Sequence, residues 1–216
     1  MFGADPEEAD NMELGVRYSE GTTNIEAFYF ASDYSRLAAE CTLVSGASCD
    51  ADESAVFSGG EAEVSGLEFS GSWILQGDNG VVYPISVNYT STDATFKNSS
   101  SSDYFGTVAA GDDLPYIPDS QSSIVVGFIN DNGLSGNARL VNVGSSCSLA
   151  ACGTYNEIEA HSYLDLNLRK ALNDSMSVYL ILENTLDSED LISRAPSEGA
   201  RSQKPRTMKV GFSYDF

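Results

Sequence analysis

The feature that most constrains this chain is an alternation with a period of two, clearest over its last residues. Met208, Val210, Phe212, Tyr214 and Phe216 are apolar, and Lys209, Gly211, Ser213 and Asp215 stand between them. A period of two places alternate side chains on opposite faces of a strand, whereas a helix would repeat every 3.6 residues. The pattern returns upstream. Met176, Val178, Leu180 and Leu182 alternate with Ser177, Tyr179, Ile181 and Glu183, and Leu164, Leu166 and Leu168 with Asp165, Asn167 and Arg169. Leu67, Phe69, Gly71, Trp73 and Leu75 alternate with Glu68, Ser70 and Ser72, and Tyr83, Ile85, Val87 and Tyr89 follow in the same rhythm. Strands are also expected over 122–130, 134–143 and 12–18, where Leu14, Val16 and Tyr18 oppose Glu13 and Arg17. The stretch 24–34 reads as a strand whose phase is ambiguous.

The connections divide into two kinds. Glu20-Gly21-Thr22, Gly77-Asp78-Asn79-Gly80, Asp131-Asn132-Gly133 and Asn173-Asp174 are tight-turn sequences. Between them lie long polar segments over 38–60, 98–120, 144–155 and 187–205. Strict alternation of short and long connections puts all the turns at one end of an antiparallel sheet and all the loops at the other. The fold class is therefore all-β, with about nine antiparallel strands of the kind that build a transmembrane barrel. Tyr18, Trp73 and Tyr83 lie near the tight turns, where an aromatic girdle would sit.

Composition excludes other classes. There are 32 acidic and 11 basic residues, a net charge of −21, which repels phosphates and gives no basic stripe for nucleic acid. No apolar run is long enough for a membrane helix. Cys41, Cys49, Cys147 and Cys152 allow three pairings, and short separations favour Cys41 with Cys49 and Cys147 with Cys152 in an oxidising compartment. Neither pair has zinc-ligand spacing, and the single histidine, His161, lies far from both, so neither metal site nor cofactor is expected. No nucleophile, base and acid fall at catalytic spacing, so an enzyme is not expected.

A strand ending on an apolar-face aromatic resembles the C-terminal assembly signal of outer-membrane barrels. Further pieces resemble TonB-dependent receptors: Pro6-Glu7-Glu8-Ala9-Asp10-Asn11 before Glu13-Leu14-Gly15, Gly66-Leu67-Glu68, Tyr163-Leu164-Asp165-Leu166, and Asn184-Thr185-Leu186-Asp187. The last is followed by Arg194-Ala195-Pro196, Gly199-Ala200-Arg201 and Lys204-Pro205-Arg206-Thr207. The segments from Tyr83 to Thr90 and from Gly111 to Pro118 look most like the ferric citrate receptor branch. The resemblance implies a barrel of about 22 strands around a plug. It also implies a ferric chelate as cargo, the TonB complex as energy source, the barrel assembly machinery and outer-membrane lipid as partners, and no cofactor. A small surface barrel or adhesin is the alternative.

Met1-Phe2-Gly3-Ala4-Asp5-Pro6 lacks the basic start and apolar stretch of a secretory signal. Residues 1–216 are thus expected to be the C-terminal part of a longer receptor, without the plug and the first strands. They should form a curved open sheet whose edges are the strands at Met12 and Phe216. The Gly and Pro of the loop from Arg194 to Arg206 would set a long turn, and its basic residues Arg194, Arg201, Lys204 and Arg206 would help attract an anionic chelate. Arg17, Glu68, Asp165 and Arg169 should face the lumen.

Overall fold

The computed structural model describes residues 6–40, 56–77, 80–102, 106–150, 152–194 and 199–215. The strands in chain order are β1 Glu8–Glu20, β2 Thr23–Glu40, β3 Val56–Gln76, β4 Val82–Phe96, β5 Ser100–Ser102, β6 Gly106–Val108, β7 Ser120–Ile129 and β8 Leu134–Val143. There follow β9 Ser146–Cys147, β10 Glu157–Ile158, β11 His161–Ala171, β12 Met176–Glu183, β13 Leu191–Ser193, β14 Arg201–Ser202 and β15 Thr207–Tyr214. Nine of them form one sheet in the order β1-β2-β3-β4-β7-β8-β11-β12-β15. It is open: among the described residues β1 and β15 each pair on one side only.

Register explains why one face is apolar throughout. Residues directly opposite one another share a face, and the ladders align Leu14 with Tyr29, Tyr29 with Leu67, and Phe69 with Tyr89. Val87 meets Ile124, Ile124 meets Leu140, and Leu140 meets Leu164. Leu168 meets Leu180, which meets Val210. None of these residues is buried, and Leu14 and Val210 on the edge strands are 74% exposed each, so the face is turned away from any core of its own. The apolar run covers seven residues in β1 and nine in β3, roughly 20–26 Å along the strand. That matches the apolar band of a membrane barrel.

The ambiguous strand, β2, has odd residues on the apolar face and Phe28 and Phe30 on the polar one. Glycine decides the matter. Phe28 lies opposite Gly15 and Phe30 opposite Gly66, and a Cβ built on Gly15 would fall 2.0 Å from the Phe28 ring. Tyr179 covers Gly211 in the same way at the far side of the sheet. An aromatic ring laid over a glycine covers exposed backbone and fixes register.

The turns lie where expected and differ in length by a residue or two. The β11–β12 connection spans 172–175, closed by Leu172 N donating to Met176 O at 2.8 Å, rather than two residues. The β7–β8 turn spans 130–133, where Gly133 adopts φ 81°. The loops differ more. β2 and β3 run on for 18 and 21 residues, well into the segment read as a loop over 38–60. The other three long connections carry the two-stranded pairs β5–β6, β9–β10 and β13–β14.

Candidate functional site

At the loop end, the inward face of β3 and β4 is covered rather than open. Residues 111–119 fold back along β4: Phe96 N donates to Asp112 O at 2.9 Å, Leu114 N to Ala94 O at 2.8 Å and Thr92 N to Asp119 O at 2.9 Å. This return buries Phe96 and Val108 to 1% and 2% exposure, with Ala150, Leu37 and Leu114 packed against them. Leu37 reaches this cluster through a β-bulge. Between Tyr34 and Leu37, β2 advances three residues while β3 advances two, so Leu37 pairs with Gly60 and turns inward although Asp33 faces outward. Arg36 takes φ 56° within the bulge and pairs with Glu8. On the outer side Lys97 pairs with Asp33 at 2.6 Å, and that hydrogen bond, aided by Glu63 and Glu61, raises the ammonium's pKa.

Cys147 and Cys152 are disulfide-bonded as expected. The bridged loop is tied to the returning segment by Tyr116 N donating to Cys147 O at 2.7 Å, and it delivers Ala150 into the cluster. Tyr116 itself has φ 62°. Asp93, Asp113, Asp119 and Glu157 border a hollow of about 350 Å³ beside the disulfide. No group of residues suited to holding a metal occurs among the described residues. Cys41 and Cys49 lie outside the described residues, as does Phe216.

The four cations of the last loop do not converge on one point. Arg194 stacks 4.4 Å over the Tyr155 ring, its Nε 3.4 Å from Glu157 O. Lys204 pairs with Glu183, which also holds Lys209. Arg206 donates its backbone N–H to Asp187 Oδ1 at 2.9 Å and its guanidinium to Asp187 Oδ2 at 3.3 Å. Arg201 is exposed on β14. Sequence reasoning missed what organises this neck. Asn184 is 4% exposed with φ 47°; its Nδ2 donates to Ser188 O and Lys204 O, both at 2.9 Å, and its Oδ1 accepts from Ser188 N at 3.1 Å. Its own N–H donates to Asp165 Oδ1 at 2.9 Å. The available signal was an asparagine, tolerant of the left-handed region, just past a strand.

The remaining polar residues share the inward face, as expected. Arg17 pairs with Glu26 at 3.3 Å and lies 4.7 Å over the Phe28 ring, and Arg169 Nε donates to Ser177 Oγ at 3.2 Å. Glu68 is opposite Phe28, and His161 Nδ1 is 3.3 Å from Glu159 O. Near the tight turns this face borders a hollow of about 770 Å³, reached by Asn24, Ser72, Ser86, Asn137 and Arg169. The polar face is therefore the concave one.

A family model described as "TonB dependent receptor-like, beta-barrel" matches residues 2–184. The chain belongs to the TonB-dependent receptors. TonB-dependent receptor barrels lie in the outer membrane, so the apolar convex face meets lipid and the polar concave face lines the lumen. Among solved structures the fold resembles the ferric yersiniabactin uptake receptor from Yersinia pestis, with TM-score 0.75 and 18% identity over 97% of this chain and 30% of that one. The siderophore receptor PiuA from Acinetobacter baumannii gives 0.75 and 18% over 97% and 29%, and the copper transporter OprC gives 0.70 and 12% over 100% and 32%. The chain thus spans about a third of the length of these solved structures. No curated protein matches it.

Proposed function

We propose that these residues are the C-terminal part of the barrel of a receptor that binds a ferric chelate and imports it with energy from the TonB complex. The observation that carries this reading is the open nine-stranded sheet with one continuous apolar face, in a chain of this family. Two unpaired edges are untenable in lipid, where every backbone group needs a partner. Further strands of the same barrel would supply both partners, and a plug would fill the lumen. The barrel assembly machinery would insert the whole, using the apolar alternation Met208, Val210, Phe212, Tyr214 and Phe216 as its signal. The role is transport, without catalysis or cofactor.

Siderophore receptors among the structural neighbours support iron as cargo, and the segments from Tyr83 to Thr90 and from Gly111 to Pro118 favour ferric citrate. Of the four loop cations, Arg201 is the one best placed to meet an anionic chelate, since Arg194, Lys204 and Arg206 are engaged in holding the loop. The test is accumulation of radioactive iron by cells carrying the full-length receptor, with and without TonB. TonB-dependent uptake from ferric citrate is expected. Uptake from another chelate alone would overturn the citrate assignment. Absence of any TonB-dependent iron uptake would favour the small surface barrel or adhesin. Deleting Phe216 should lower the assembled amount without changing cargo affinity per assembled receptor.

A further inference from the structure

The lipid-facing surface is not evenly filled. Midway along β8, between Leu134 and Leu140, the outward residues are small, Gly136 and Ala138, while their opposite neighbours are large: Val126 and Phe128 on β7, Leu166 and Leu168 on β11. The result is an apolar groove of about 350 Å³ that continues as far as Leu180 and Leu182 on β12. It crosses four strands, about 14 Å at the spacing of neighbouring strands, and is only two or three residues wide along each. Gly136 cannot be enlarged to fill it, because a Cβ there would lie 2.6 Å from Asn167 O.

The groove lies deep in the apolar band. Ala138 is four residues from the polar row of Asn142, Ser122 and Ser162, and four from the first residue of β8 after the turn, about 13 Å each way. Water is excluded at that depth by the apolar lining, and an empty groove would forfeit dispersion contacts along its whole length. The surface around it is the one already turned to lipid, so the material available to fill it is hydrocarbon.

We propose that this groove is a binding site for one acyl chain of a membrane lipid, which lies across β7, β8, β11 and β12 and is retained while neighbouring chains exchange. A long, narrow, shallow groove suits a linear chain better than the branched side chains of a second copy of the protein. The proposal rests on the outward orientation of the apolar face and is independent of cargo. It makes Ala138 the residue that admits the chain.

The test uses the full-length receptor in nanodiscs that contain a phospholipid with a photoreactive group midway along one acyl chain. Cross-linked peptides are mapped by mass spectrometry. Label should concentrate on the peptides bearing Ala138 and Leu166 to Leu168. Ala138→Leu should reduce that label, roughly fourfold for each methylene displaced, while label elsewhere on the barrel is unchanged. Heat-modifiable mobility on a gel reports assembly, and Ala138→Val, a smaller intrusion, serves if the leucine variant does not assemble. Uniform labelling of all lipid-facing peptides, unchanged by either variant, would overturn the proposal. Cross-links between two receptor copies through this groove would overturn it as well. Cargo uptake is unaffected in every case, so failure here is separable from failure of the transport reading.

Discussion

The two halves of the sheet solve the same problem, holding long loops above a membrane, by different means. In β1 to β4 the strands continue beyond the apolar band, up to 21 residues in β3, and the loop that follows lies back on them around Phe96 and Val108. In β12 and β15 the strands are eight residues each and stop at the band, and the loop neck is closed by Asn184, Asp187 and Glu183 through hydrogen bonds and ion pairs. The first half is organised by burial and the second by polar satisfaction. Burial keeps its strength at high salt, whereas exposed ion pairs weaken. The halves should therefore separate when perturbed.

The largest expected effect is in the first half. Phe96→Ala leaves a cavity in the only apolar cluster among the described residues with fully buried large side chains, at a cost of about 3–5 kcal/mol to local stability. Hydrogen exchange over 106–119 should rise steeply while the lipid-facing strands remain protected. Unchanged exchange there would mean the return segment is held by its backbone bonds to β4 alone. Next comes the neck. Asn184→Ala strands the Ser188 and Lys204 carbonyls and puts a β-carbon-bearing residue without side-chain compensation at φ 47°, about 2–4 kcal/mol in all. Limited proteolysis should then cut within 185–206 and spare 106–119; cutting of both would show that the halves are coupled.

Replacing both Cys147 and Cys152 by serine opens a loop of five-residue separation, about 2 kcal/mol by chain entropy. Because Ala150 reaches the Phe96 cluster from this loop, exchange should rise in the same segment as for Phe96→Ala, to a smaller extent. Arg206→Ala removes an exposed pair with Asp187 and should change protease resistance by no more than about 1 kcal/mol, with the effect fading in high salt. A salt-insensitive loss would point to the hydrogen bond from Arg206 to Thr185 O instead.

The strands and their apolar face were legible because a period of two is written residue by residue, from Met12 to Tyr214. The facing of β2 was not, since Phe28 and Phe30 on one side and Ile25, Ala27 and Tyr29 on the other are both apolar. It is decided by Gly15 and Gly66 on neighbouring strands, which only register brings opposite. The loops were legible as loops, but not as small paired structures, because Ser- and Gly-rich sequence carries little strand signal. The loop cations illustrate the remaining gap. Arg194, Lys204 and Arg206 read as free charge in sequence, and their partners Tyr155, Glu183 and Asp187 become visible only once the loops are folded.

The bulge at Arg36 makes one strand answer to two environments. Odd positions of β2 face lipid as far as Ala31 and the headgroup side at Asp33, and the extra residue between Tyr34 and Leu37 hands a later odd position, Leu37, to the inner cluster. Loss of one residue there would look minor in a sequence alignment. In the folded chain it would straighten the ladder, leaving Leu37 opposite Gly60 but removing the bulge that holds Arg36 against Glu8. At its full length but without the bulge, the strand would instead set Arg36 opposite Gly60 and turn Leu37 outward, so length and register are specified together.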